Sequence, residues 1–114
     1  MRCAVLLAAV ALAACSKGPQ ADLQYISAAR SLSAEWALVN EQAPQGKLTD
    51  AYVAAMRTSL RQQVQAKAKA VTQPDSDYAR EIQAIAAEPA DAPPATLRAH
   101  SGKLKKIEDS LESA

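Results

Sequence analysis

Apolar residues in this chain recur at spacings of three and four, in blocks separated by Pro and Gly. Tyr25, Ala29, Leu32, Trp36 and Val39 follow one another at steps of 4, 3, 4 and 3. This is an apolar seam at heptad positions and predicts a helix over 22–42. Asp22 is its candidate N-cap, because a carboxylate can accept a free first-turn N–H. Ala29, Ser33 and Ala37 form a small-residue row beside the seam, where a second helix can approach closely. Pro44 and Gly46 then oppose helix continuation, so 43–48 is a turn. A second helix follows, with Thr49 as N-cap, Asp50 in the positive first turn and Leu48 placed to pack on Val53 as a hydrophobic staple. Val53, Met56, Leu60 and Val64 carry its apolar face, with Val71 near the end. Pro74 and Asp75 break the pattern again. A shorter helix over 76–87 carries Tyr78, Ile82 and Ile85. The proline-rich stretch 88–94 is a connector, and Leu97, His100, Leu104, Ile107 and Leu111 predict a last helix over 95–112. Glu108, Asp109 and Glu112 crowd its negative end, so the last turn is expected to fray.

No run of β-branched and aromatic residues alternates at period two, and no internal repeat of fixed period is present. The expected fold is all-α: a small antiparallel three- to four-helix bundle after an N-terminal signal peptide. Two long helices would form a hairpin, with the short and final helices packed on it.

Residues 1–14 are different in kind. They hold one charge, Arg2, and are otherwise apolar. The run is too short to span a bilayer as a helix, which takes roughly 20 apolar residues. A basic start, an apolar stretch from Ala4 to about Val10 and small residues beyond it have the layout of an export signal. The alternative is a buried N-terminal helix, but no polar face appears over 4–14. The run ends in Leu12-Ala13-Ala14-Cys15: an aliphatic residue, two small residues, then cysteine.

That tetrapeptide resembles the lipobox of bacterial lipoprotein precursors. The resemblance covers the processing region only. It implies cleavage between Ala14 and Cys15, a thioether-linked diacylglycerol on Cys15 and an acylated new amino terminus. Small residues let the backbone enter a peptidase cleft, and only a thiol can be alkylated there. Two or more acyl chains give durable anchoring, at about 0.8 kcal/mol per buried CH₂. In enterobacteria-like sorting, Ser16 in place of Asp after the cysteine points to the outer membrane, facing the periplasm. The organisation read from sequence is thus a signal peptide at 1–14, a lipidated tether at 15–21 reaching about 20 Å from the membrane, and a bundle domain at 22–114.

Composition sharpens this in two ways. Beyond residue 14 the chain has twelve Lys plus Arg and twelve Asp plus Glu, so formal charge is zero. That balance argues against nucleic-acid partners, which need a basic surface for many phosphate contacts. After Cys3 and Cys15 no cysteine follows, so the mature chain forms no internal disulfide and acylation would cap its one thiol. Second, 15–114 contains twenty-one large apolar residues, many alanines and no Phe. A domain of this size buries only about 60–65% of its unfolded surface, and Ala adds helix propensity with little transfer energy. A thin core of modest stability is expected.

Candidate chemistry is sparse. His100 is the only histidine and lies on the apolar seam, where a partly buried packing role competes with general-base or metal-ligand roles that need convergent partners. Trp36, with Tyr25, Tyr52 and Tyr78, reads as amphipathic core filling rather than a binding aromatic. Arg57, Arg61, Lys67 and Lys69 on the second helix could meet anionic headgroups, but their angular spread favours a solvated polar surface. Asp75/Asp77 and Glu108/Asp109 stand at helix ends, where solvated or capping roles suffice. Three glycines in the whole chain leave no phosphate-cradling loop, and no GxSxG occurs. No catalytic residue, metal ligand or cofactor-binding residue is expected. The expectation is a lipid-anchored, non-catalytic helical interaction or structural module of the cell envelope, with an envelope protein or a second copy as partner. The alternative is a helical bundle whose interior takes a small apolar ligand or lipid.

Overall fold

A computed structural model of the chain describes residues 18–114. Four helices run α1 (Pro19–Gln42), α2 (Asp50–Ala70), α3 (Asp77–Ala86) and α4 (Pro94–Glu112), and no strand occurs among the described residues. Successive helices reverse direction, giving an up-down-up-down bundle. α1 packs most extensively on α4 and next on α2, while α2 packs on α3. The α1–α2 hairpin expected from sequence is present, but the last helix, not the second, is the main partner of α1.

The turn chemistry anticipated at 43–49 is in place. A 3₁₀ turn, Ala43–Gln45, ends at Gly46, whose φ of 69° is left-handed and free of steric cost only for glycine. The Thr49 side chain accepts the Tyr52 N–H at 3.1 Å and starts α2. Ser76 does the same for α3 through the Ala79 N–H at 3.2 Å. Leu48 is half-buried against the core. Pro93 and Pro94 open α4, where a missing N–H costs nothing.

The core is built from the predicted seams. Trp36, Leu60, Val64, Ile82, Ile85, Leu97 and Leu104 are essentially inaccessible, and Leu32, Val39, Val53, Val71 and Tyr78 are buried with them. The small-residue row Ala29, Ser33 and Ala37 is fully buried, as close helix approach requires. Ile26, outside the seam read from sequence, is also fully buried.

Several expectations are corrected. α1 starts at Pro19 rather than residue 22, so Gly18–Ala21 belong to the folded body and not to a tether. Asp22 is therefore no N-cap; it is fully buried inside the first turn. Tyr52 is 49% exposed and fills no core. Arg57 and Arg61 do not form a solvated face but reach inward to Asn40 and to the Glu88 carbonyl. Glu108 is buried and paired with Arg30 at 3.2 Å, and Asp109 accepts from Lys105 at 2.7 Å. These pairings offset part of the negative charge at the end of α4, which runs to Glu112.

Candidate functional site

One pole of the bundle gathers the start of α1, the loop between α2 and α3, the start of α3 and the end of α4. Asp22 is its centre. The Thr72 N–H is shared between both carboxylate oxygens at 2.9 Å, the Thr72 hydroxyl donates at 3.0 Å, and the Tyr78 hydroxyl donates at 2.5 Å. Thr72 also accepts the Gly18 N–H at 3.3 Å. Gly18 has φ 104°, a conformation side chains rarely adopt, and this turns the chain into α1. Asp22 lies in the first turn of α1, whose positive end suits an anion. The cluster ties the start of α1 to the α2–α3 loop and the start of α3, 50 to 56 positions away in sequence.

Burial, and then the hydrogen bond to Asp22, push the Tyr78 phenol up to about 12 from its ordinary value of 10. The folded state therefore holds this proton more tightly than the unfolded chain. The stabilisation is complete below pH 10 and is lost as pH rises from 10 to about 12. A two-unit shift corresponds to about 3 kcal/mol. Denaturant melts at pH 9 and pH 12 should show Tyr78→Phe losing markedly less stability across this window than the parent. Equal losses would exclude Tyr78 as the group responsible.

Toward the other pole, the connector between α3 and α4 is held by side chains from α1 and α2. The Trp36 indole N–H donates to the Ala90 carbonyl at 2.9 Å. The Asn40 amide donates to Ala90 and Ala92 at 3.1 and 2.9 Å and accepts from Arg57 at 2.8 Å. Arg61 donates to the Glu88 carbonyl and lies over the Trp36 ring, 5.5 Å from its centroid, in cation–π geometry. The connector is thus a fixed strap.

His100 is half-buried as expected, but polar bridging rather than apolar packing places it. Its Nδ1 meets Glu81 at 2.5 Å and its Nε2 faces Glu88 at 3.5 Å, with Lys103 3.7 Å from the far oxygen of Glu81. The Nε2 atom is enclosed. The arrangement fastens α4 to α3. Glu108, Asp109 and Glu112 bring three carboxylates within 4.8 Å of one another, but Glu108 is engaged bidentately by Arg30 at 3.2 and 3.4 Å. A cation there would compete with a guanidinium already in position.

No protein-family model, curated protein or solved structure matches this chain.

The residues singled out for processing, Ala14 and Cys15, lie outside the described residues. What the structure adds is the place of Gly18 and of the α1 start at Pro19 in the bundle. Gly18 stands three residues after Cys15, so the Asp22 pole is the end of the bundle nearest that cysteine. No helix of the described residues is long and apolar enough to cross a membrane. Sequence reasoning missed the Asp22 knot and the Trp36–Asn40–Arg61 grip. A signal for both was present in one row of α1: Asp22, Ile26, Ala29, Ser33, Ala37 and Asn40 recur at 4, 3, 4, 4 and 3, with polar members at both ends.

Proposed function

We propose that the chain is a bacterial lipoprotein precursor whose mature part is a lipid-anchored, non-catalytic helical module of the cell envelope, held at the outer membrane and facing the periplasm. The observation that carries this reading is Leu12-Ala13-Ala14-Cys15 at the end of an apolar run. With lipid on Cys15, the Asp22 pole rests against the headgroups, because three residues reach only about 10 Å. α1, with its 24 residues, then holds the 43–48 turn about 36 Å farther out.

An interaction role is supported by the outer half of the α1–α2 face. Leu38 and Tyr52 are 47% and 49% exposed there and flank a shallow groove with Glu35, Leu48 and Met56. Such a face suits a helical surface of an envelope protein or a second copy of this chain. The interior offers less to the alternative reading, because Trp36, Ile26, Leu60, Ile82, Ile85, Leu97 and Leu104 occupy the space an enclosed guest would need.

The test is intact-mass analysis of protein isolated from membranes, parent against Cys15→Ser. The parent should begin at Cys15 and carry the mass of a diacylglyceryl group plus an N-acyl chain; the variant should carry neither and leave the membrane fraction. A parent chain that begins at Met1, or bears a free thiol at position 15, overturns the reading.

A further inference from the structure

α3 and α4 pack on each other least of the four adjacent helix pairs. Where they part, at the Asp22 pole, a groove of about 370 Å³ opens to the surface. Pro19 from α1, the Tyr78 ring, and Ile107 and Leu111 from α4 supply its apolar lining, and Gln73, Ser76 and Asp77 add polar groups from the α2–α3 loop and the start of α3. Ile107 and Leu111 belong to the seam that predicts α4, yet both remain only half-buried. Lys106 and Ser110 stand at the edge. An apolar trough with a few hydrogen-bonding groups on its rim fits a hydrocarbon chain that ends in an ester.

Pro19 is part of the groove wall, and Cys15 lies only four residues before it, about 14 Å at full extension. An acyl chain attached to Cys15 can therefore reach the trough without any movement of the helices. The volume lies near the lower end for ligand sites, so it suits one chain and not the whole lipid.

We propose that this groove takes up one acyl chain of the thioether-linked lipid on Cys15. The proposal rests on the lipoprotein reading and adds to it a site on the protein for its own anchor. With one chain sheltered in the groove, less hydrocarbon meets water when the protein leaves one bilayer for another, and the bundle is held in a fixed orientation on its anchor.

A diazirine-bearing amino acid at Ser110, an exposed groove position, tests this in the full lipidated protein isolated from membranes. The same residue at Ala55, exposed on α2, is the control. Intact mass first establishes whether Cys15 carries lipid. After irradiation, the expected product is a peptide containing position 110 joined to the lipidated Cys15 peptide, several-fold above the Ala55 control and absent in Cys15→Ser. A position-110 peptide joined to free phospholipid overturns the assignment of the occupant. Lipid on Cys15 with no lipid adduct at position 110 overturns the proposal and leaves the lipoprotein reading standing. Absence of lipid on Cys15 overturns both.

Discussion

Trp36→Ala should lower the unfolding free energy by about 4 kcal/mol, the largest loss from any single truncation in the bundle. Trp36 is the largest fully buried side chain among the described residues, in a core with no Phe to close over the space it leaves. Truncation also removes the donor to the Ala90 carbonyl at 2.9 Å and the ring beneath Arg61. The Arg61 Nε atom is already buried without a partner, so the exposed guanidinium face gains nothing in exchange. Trp36→Phe separates these contributions: most of the apolar area and the ring face remain, while the indole N–H is lost, for about 1–2 kcal/mol. Urea melts followed by far-UV circular dichroism measure both. A loss below about 1 kcal/mol for the alanine variant would mean that the strap does not depend on Trp36.

Asp22→Ala should cost about 3 kcal/mol and lower the melting temperature by about 15 °C for a domain of this length. Removing the carboxylate leaves the Tyr78 hydroxyl, the Thr72 hydroxyl and the Thr72 N–H without their acceptor. Each abandoned buried donor costs about 1–3 kcal/mol, partly recovered by water because Thr72 lies near the surface. Asp22→Asn keeps one oxygen acceptor and should lose about half as much. The location of the damage is as informative as its size. Amide exchange should accelerate over the first turns of α1 and over 71–78, while amides near Trp36 keep their protection. Uniform acceleration along all four helices would contradict a local knot. Coupling to Tyr78 is checked by a double-mutant cycle with Tyr78→Phe, in which the two losses should fall well short of adding.

How much of this was legible beforehand depends on whether partners are near or far along the chain. The helices, their approximate limits, the Thr49 cap and the turn over 43–48 were all readable, because each rests on residues within about one helical turn of one another. The apolar seams named most of the core for the same reason: periodicity marks the face that must leave water. The Leu12–Cys15 tetrapeptide is likewise a local pattern, and it alone supports the anchor.

The polar residues behaved differently. Asp22 has the local appearance of a cap, Arg57 and Arg61 of a solvated face, and Glu108 of a frayed end. Their partners, Thr72 and Tyr78, Asn40 and Glu88, and Arg30, lie 17 to 78 positions away. A charged or amide side chain is compatible with water or with a buried partner, and desolvation without that partner is too costly to predict from composition. Sequence by itself therefore determined the helical elements, their apolar faces and the cysteine pattern. Only the tertiary structure decided that α1 closes chiefly on α4, that α1 begins at Pro19 and buries Asp22, and where each buried polar group finds its complement. Helix formation is settled over a few residues, whereas satisfying a buried polar atom needs the whole bundle assembled.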